Sequence, residues 1–306
     1  MNIPRNVIQA LGECARVKEK EPLKTYTTYR TGGPADLLVF PGDNESLSRI
    51  VRIAADESLP LTVIGGGSNL LVGDKGLEGI VIRLCEDSLR KGEIVLLEDG
   101  TIYADSIASK ERFVEFAVNL GYSGMEFMAG IPGCIGGGII MNAGTSMGAF
   151  ADILVDVDLV DSGGNRTAAL IDRSMSSYRK MGIGDGAIIT GARIKLSRAA
   201  DASRVRSDIE DILGDRRKKH PLDYPSAGSV FKNPDGYSSW KLIDEAGLKG
   251  RMVGGARVSE LHTNFIINAD GATSRDIRNL ICLIQETVFQ YFGIRLETEI
   301  KMVGVF

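Results

Sequence analysis

The apolar residues of this 306-residue chain follow two different periods, which predict helices and strands in a mixed order. Val7, Ile8, Leu11 and Cys14 share one helical face, so an amphipathic helix is predicted near the start of the chain. A second helix is predicted after Asn44, whose side chain is suited to cap it. The predicted helices after the first are ESLSRIVRIAADE, residues 107–120, ASRVRSDIEDILGDRRKKH, SSWKLIDEAG and SRDIRNLICLIQETVFQYFG.

Short apolar or alternating runs between these helices predict β-strands. The turn sequences Asp99-Gly100 and Gly163-Gly164-Asn165 each predict a hairpin. The predicted strands are the polar TYTTYR, then ADLLVF, LTVI, GIVIRL, EIVLL, TIYAD, DILVDVDLVD, TAALI, AIITGARIKLS, NFIIN and the final RLETEIKMVG. Because helices and strands do not alternate strictly, an α+β fold is predicted in preference to a doubly wound sheet.

Composition narrows the classes of protein that fit. With 36 basic and 40 acidic residues the net charge is −4, which gives no sign of a nucleic-acid partner. No run of 18 apolar residues occurs, so no membrane span is predicted. The four cysteines are far apart and no His-Glu-x-x-His is present, so neither a metal site nor a disulfide framework is expected. A cytoplasmic protein is the simplest interpretation.

Glycine is the outlier in composition, with 37 residues, and two glycine-rich loops predict an anion site. One is Gly65-Gly66-Gly67-Ser68-Asn69, directly after a predicted strand, and the other is GIPGCIGGG from Gly130. Successive glycines allow main-chain N–H groups to converge on a phosphate. Neither loop matches the P-loop or the Rossmann fingerprint, so a diphosphate held by a different, β-rich domain is predicted. The alternative is that both are tight turns.

Two short motifs match catalytic signatures and are open to other interpretations. Gly144-x-Ser146-x-Gly148 matches a nucleophile elbow, and with His262 as base it would predict a serine hydrolase. Ser229-x-x-Lys232 matches a penicillin-binding signature, but its partner motifs Ser-Asp-Asn and Lys-Thr-Gly are missing from the sequence. Ser229 could equally satisfy a turn.

Eight sequence words, in order, resemble the UDP-N-acetylenolpyruvoylglucosamine reductase family, flavoenzymes of bacterial cell-wall synthesis. The words are TTYRTGGPADLLVFP, VIGGGSNLLVGDKGLEGIVI, GMEFMAGIPGCIGGGIIMNAG, SYRKM, HPLDYPSAGSVFKNP, KLIDEAGLKG, GGARVSELHTNFIIN and LETEIKMVG. The uninterrupted run from FKNP to KLIDEAGLKG is typical of the shorter subtype. Cys134 and Ser146 depart from the residues that are common in the family.

The resemblance implies a vanillyl-alcohol-oxidase (PCMH)-type FAD-binding domain over residues 20–197, with subdomains at about 20–85 and 86–197. The N-terminal helix would occupy residues 1–19, and an α+β substrate-binding domain would follow over residues 198–306. The implied FAD-binding residues are Gly65, Gly66, Gly67, Ser68, Asn69, Gly130, Pro132, Gly133, Gly136, Gly137, Asn142 and Ala143.

The resemblance also implies three catalytic residues: Arg179, Ser229 as proton donor, and Glu299 in the last strand. Glu297 is the obvious rival of Glu299. The implied substrate-binding residues are Lys232, Asn233 and His262.

The implied reaction is the NADPH-dependent reduction of UDP-N-acetylglucosamine enolpyruvate to UDP-N-acetylmuramate through FAD, in peptidoglycan precursor synthesis. The expected partners are therefore small molecules, and a monomer is expected. An FAD-dependent oxidase of the same fold is the alternative within this fold.

Overall fold

The computed structural model describes residues 3–87 and 90–306, which divide into two compact units. Among these residues, the first unit contains those up to Glu19, Leu37–Gly66 and Gly79–Gly214. The second unit contains Lys20–Asp36, Gly67–Glu78 and Asp215–Phe306. The chain thus passes repeatedly from one unit to the other.

Helices and strands occur in the mixed order that the sequence predicts, so the α+β class is confirmed. The α-helices of the described residues are α1 (Arg5–Gly12), α2 (Asn44–Asp56), α3 (Lys110–Asn119), α4 (Ile135–Ile140), α5 (Ala202–Lys219), α6 (Ser239–Glu245) and α7 (Ser274–Phe292). The strands of the described residues are β1 (Ala15–Pro22), β2 (Pro34–Pro41), β3 (Leu61–Ile64), β4 (Leu70–Val72), β5 (Leu77–Arg83), β6 (Ile94–Leu96), β7 (Ile102–Asp105), β8 (Tyr122–Ser123), β9 (Gly144–Thr145), β10 (Gly148–Ala149), β11 (Leu154–Val160), β12 (Arg166–Leu170), β13 (Ser176–Ser177), β14 (Lys180–Met181), β15 (Ile188–Ile194), β16 (Ser197–Arg198), β17 (Met252–Val253), β18 (Ala256–Val258), β19 (Ile266–Asn268) and β20 (Lys301–Val303). No helix within these residues combines the length and apolar character that a membrane crossing requires.

Most residues of the two larger sheets, one of four strands and one of five, lie in the first unit, and a hydrophobic core packs on each. One sheet has the strand order β1-β2-β5-β3, and its core includes Val7 and Leu11 of α1 and Ile50 of α2, as the helical periodicity predicts. The other has the order β12-β11-β15-β7-β6, and its core includes Phe113 of α3 and Ile139 of α4. The pairs β6–β7 and β11–β12 are the two predicted hairpins.

The second unit joins segments from both ends of the chain. Strand β20 pairs in parallel with β4, and α7 packs on a core that includes Tyr29 and Leu71. Asp74 follows β4, and its carboxylate accepts hydrogen bonds from the amides of Ser274 (2.8 Å) and Arg275 (2.9 Å) at the start of α7. A carboxylate in this place satisfies main-chain donors and complements the helix dipole.

Three local predictions from the sequence are wrong. Asp43, rather than Asn44, caps α2, because its extended backbone lets its carboxylate accept the Ser46 amide at 2.7 Å. TYTTYR forms no strand, and Leu23–Tyr26 is instead a 3-10 helix. The final strand is confined to Lys301–Val303, where β4 supplies a partner.

We expect Asp74→Ala to lower the free energy of unfolding by about 1–2 kcal/mol, because the first turn of α7 loses its acceptor. Urea denaturation followed by circular dichroism measures the change. Asp270→Ala removes an exposed carboxylate from the same unit and serves as the control. Equal stability of the two variants would contradict the capping role.

Candidate active site

The two glycine-rich loops are in direct main-chain contact within the first unit. A Cβ atom at residue 66 would lie 2.7 Å from the Cα atom of Gly133, and one at residue 65 would lie 2.8 Å from the sulfur of Cys134. Real side chains do not tolerate such distances. The predicted convergence of the loops is therefore present for Gly65, Gly66 and Gly133, and it requires glycine.

The place where the loops meet stabilises negative charge. Hydrogen bonds from the thiol of Cys85 and from the amides of Gly137 and Gly66 lower the pKa of Cys134, although burial opposes the effect. The pKa of Cys85 is raised, because its thiol donates to Cys134 and is partly buried. Glycines on both loops allow the close approach of main chain that a group such as the diphosphate of FAD requires, and in this respect the residues present fit it.

Other predicted FAD-binding residues flank this contact on both loops. Gly130 and Pro132 are exposed before α4, whereas Gly136 is buried inside it. A Cβ atom on Gly136 would lie 2.8 Å from that of Ser106, so α4 packs closely at this point. Ala143 follows α4, and its carbonyl accepts the amide of Phe150 at 3.2 Å.

The end of the first loop belongs to the second unit. The carbonyl of Gly67 accepts the amide of Thr28 at 3.2 Å, and Ser68 is half-buried. The side-chain amide of Asn69 donates to the carbonyl of Glu299 at 3.2 Å, and the carbonyl of Asn69 accepts the amide of Lys301 at 2.9 Å. Asn69, predicted to bind FAD, thus also fixes the backbone of a predicted catalytic residue.

Arg179 lies in the first unit, at the tip of the hairpin formed by β13 and β14. Its φ of 62° lies in the left-handed region, where glycine or asparagine is usual. The guanidinium donates from Nη1 to the carbonyl of Gly144 at 2.9 Å and lies 4.9 Å from the ring centre of Tyr178. Retention of an arginine in a strained conformation is typical of a functional position.

Ser229 and Glu299 lie in neighbouring segments of the second unit. The amide of Glu299 donates to the carbonyl of Val230 at 2.7 Å, and the amide of Lys232 donates to the carbonyl of Glu297 at 2.9 Å. These bonds bring two residues that are 70 positions apart in sequence onto paired backbone segments. Glu299 precedes β20 rather than lying in it, which corrects the prediction that placed it in the last strand.

The two candidate glutamates differ in their surroundings. The side chain of Glu297 is 76% exposed and forms an ion pair with Lys232, whose Nζ lies 3.0 Å from a carboxylate oxygen. Glu299 is only partly exposed. The geometry therefore favours Glu299 over Glu297 as the functional carboxylate.

The remaining predicted substrate-binding side chains also contact their own unit. Asn233 accepts the amide of Ser239 at 3.0 Å and so holds the start of α6. His262 accepts the amide of Asn264 on Nδ1 at 3.3 Å and packs against Phe265, with ring centres 4.9 Å apart. Burial lowers the pKa of His262, so the ring is neutral at pH 7 and carries its proton on Nε2.

The sequence did not identify Asn264 as a functional residue. Its side chain is buried, accepts the amide of Phe231 at 2.9 Å and donates to the carbonyl of Phe231 at 2.8 Å. It therefore fixes the backbone two residues after Ser229. Its position in the sequence, directly before the apolar run Phe265-Ile266-Ile267, could have indicated this role. A polar side chain that is buried beside an apolar strand requires a hydrogen-bonding partner.

The structure contradicts the nucleophile elbow at Ser146. Thr145 pairs with Gly148 in the β9–β10 hairpin, and Ser146 and Met147 form the exposed tip. An elbow requires a strand that leads directly into a helix. Without this context Ser146 has no support as a nucleophile, and the serine-hydrolase alternative loses its motif.

Comparison with known proteins identifies matching domains in both parts of the chain. Residues 35–169 match the family described as FAD binding domain, and residues 220–303 match UDP-N-acetylenolpyruvoylglucosamine reductase, C-terminal domain. These matches confirm the predicted FAD-binding domain and the separate C-terminal domain.

Full-length relatives carry the same reductase name. UDP-N-acetylenolpyruvoylglucosamine reductase 2 of Symbiobacterium thermophilum is 38% identical over 98% of this chain and 95% of its own length. The reductase of Pediococcus pentosaceus is 40% identical over 94% of this chain and 95% of its own. The crystal structure of the reductase (MurB) from Thermus caldophilus superposes with a TM-score of 0.79 and 33% identity, covering 95% of this chain and 100% of that one. The chain therefore belongs to the UDP-N-acetylenolpyruvoylglucosamine reductase family, whose members are FAD-dependent oxidoreductases.

Proposed function

We propose that this protein reduces UDP-N-acetylglucosamine enolpyruvate to UDP-N-acetylmuramate, a precursor of peptidoglycan, with NADPH as the electron source. The observation that carries the proposal is the pairing of the Ser229–Val230 backbone with Glu299, at 2.7 Å between the Val230 carbonyl and the Glu299 amide. This pairing sets the backbones of the two candidate residues on adjacent segments of the second unit. Relatives that are 37–40% identical bear the name of this reductase.

FAD, when bound, supplies the hydride that adds to the terminal carbon of the enolpyruvyl double bond. Main-chain amides of the two glycine-rich loops are proposed to hold its diphosphate. The glycines at 65 and 66 let their loop pack directly against residues 133 and 134 of the other loop.

Arg179 is proposed to bind the substrate carboxylate. Hydride addition leaves negative charge on the carbon next to that carboxylate, and the charge spreads into it. A guanidinium remains protonated at any relevant pH and can bind a carboxylate through two donors. A fixed cation that faces developing charge lowers the barrier to the reaction.

Ser229 is proposed to complete the reduction by giving its hydroxyl proton to the carbanion-like carbon. A serine hydroxyl is a weak acid, but the carbon it protonates is strongly basic. Glu299 is proposed to hydrogen-bond the substrate carboxylate and so hold the charged species. Lys232, Asn233 and His262 are proposed to bind the remainder of the sugar nucleotide.

The cytoplasm and a monomeric state are part of the same proposal. The proposed cytoplasmic location is supported by the four cysteines, which are free thiols, as is usual in a reducing compartment.

We expect Ser229→Ala to leave flavin reduction by NADPH unchanged and to slow oxidation of the reduced flavin by the enolpyruvyl sugar nucleotide. Loss of a positioned acid slows a reaction about 10²- to 10⁴-fold. Stopped-flow absorbance of the flavin measures the two half-reactions separately. Ser238→Ala removes a hydroxyl that makes no capping bond in the same unit and serves as the control. Normal turnover by Ser229→Ala would exclude the proton-donor role.

Replacement of Arg179 by glycine should separate stability from activity. The change relieves the left-handed backbone and removes the bond to Gly144, two effects of about 1 kcal/mol each that oppose one another. We therefore expect a nearly unchanged midpoint of thermal unfolding, with substrate reduction slowed about 10²- to 10³-fold.

The matched control for this variant is Ser58→Gly, because Ser58 also has a positive φ, 51°, in an exposed turn of the first unit. Its activity should equal that of the unmodified protein. If Arg179→Gly retains full activity, Arg179 does not stabilise the reacting charge.

A further inference from the structure

Asn142 links two segments of the first unit through both ends of its side chain. The residue is buried, with 8% of its surface exposed, and follows α4. Its Nδ2 donates to the carbonyl of Ser177 at 3.2 Å, and its Oδ1 accepts the amide of Ala151 at 3.0 Å. The sequence predicts Asn142 as an FAD-binding residue, but these bonds direct its amide to the protein backbone.

We infer that Asn142 is a positioning residue, which holds the β13–β14 hairpin so that Arg179 is correctly placed. The inference rests on the function proposed above for Arg179. Ser177 is two residues before Arg179 and pairs with Lys180 across the hairpin, so a bond to Ser177 acts directly on the tip.

A second bond runs in the opposite direction and completes a clamp. Nη1 of Arg179 donates to the carbonyl of Gly144, two residues after Asn142. The side chain of Asn142 thus binds the hairpin backbone at Ser177, and the side chain of Arg179 binds the backbone of Gly144. Gly144 is itself fixed, because a Cβ atom there would overlap Gly148 and Ala149.

The hairpin is anchored through Met181, which is buried in the core, while its tip is exposed. Each of its strands has two residues, and Ser177, Tyr178 and Lys180 are exposed. The Asn142 side of this bond is buried, so water competes for it less than for a bond between two exposed groups.

Asparagine also suits the backbone of this position. Asn142 has a φ of 38°, in the region that asparagine tolerates better than most residues. Its short side chain provides one donor group and one acceptor group together. Aspartate keeps the acceptor for Ala151 and loses the donor for Ser177, whereas glycine keeps the backbone freedom and loses both.

The test compares Asn142→Asp and Asn142→Gly as FAD-loaded holoenzymes. Displacement of a positioned group slows a reaction by up to about 10²-fold. We expect oxidation of the reduced flavin by the enolpyruvyl sugar nucleotide to slow about 10- to 100-fold in both variants. The rate of flavin reduction by NADPH and the dissociation constant of FAD should be unchanged. Asn165→Gly, at an exposed turn of the same unit, is the control and should alter neither half-reaction.

A readout independent of activity is amide hydrogen exchange in the protein without FAD. Exchange of the amides in residues 175–182 should accelerate in both Asn142 variants, while the amides of β11 and β15 keep their protection. A double-mutant cycle with Arg179→Ala completes the test, because Asn142→Gly should have no further effect once Arg179 is absent.

The possible failures are distinguishable. Normal turnover by Arg179→Ala overturns the proposed role of Arg179 and this inference with it. Normal turnover by both Asn142 variants beside a slow Arg179→Ala overturns this inference alone. Weakened FAD binding by both Asn142 variants assigns the side chain to the cofactor and likewise overturns positioning.

Discussion

The contact between the backbones of Gly66 and Gly133 is the constraint on which the rest of the first unit's site depends. A Cβ atom on residue 66 would lie 2.7 Å from the Cα atom of Gly133, which is too close. A side chain at residue 66 would therefore force the two loops apart. Cys134, the N-cap of α4, follows this contact directly, and amides from both loops contribute to the lowered pKa of its thiol.

Main-chain hydrogen bonds also place the candidate catalytic residues. Glu299 is held through its amide by Val230 and through its carbonyl by Asn69. The backbone after Ser229 is held by Asn264, and the backbone near Arg179 by Asn142. Buried asparagines recur in this role because one short side chain offers both a donor and an acceptor.

Local features of the sequence predict local features of the structure well. The periodicity of α2 and α7 and the turn chemistry at Asp99-Gly100 depend only on neighbouring residues. The errors occur where distant residues decide the outcome. The residues LET of the final segment form no strand, since β4 pairs only with Lys301–Val303. Asp43 rather than Asn44 caps α2 because Asp43 has the extended backbone of a cap residue. The sequence offers two adjacent acceptors and does not show which of them has that backbone.

The candidate site shows the same division. The loops and the words around Arg179, Ser229 and Glu299 are readable from motifs, because a motif records residue types in order along the chain. The roles of Asn142 and Asn264 are not readable, since their partners lie 35 and 33 residues away. Nor does the sequence reveal that Lys232 pairs with Glu297, a contact that separates the two candidate glutamates.

The second unit is built from segments that are far apart in the chain, and this affects the order in which the protein folds during synthesis. Strand β4 and Asp74 leave the ribosome long before β20 and α7, the elements that they pair with and cap. The same holds for Tyr29 and Leu71, which join a core made mostly of residues after 215. Nearly the whole chain must therefore emerge before these early segments find their partners. Until then they remain apolar chain without a core, the state in which a newly made protein most needs a chaperone.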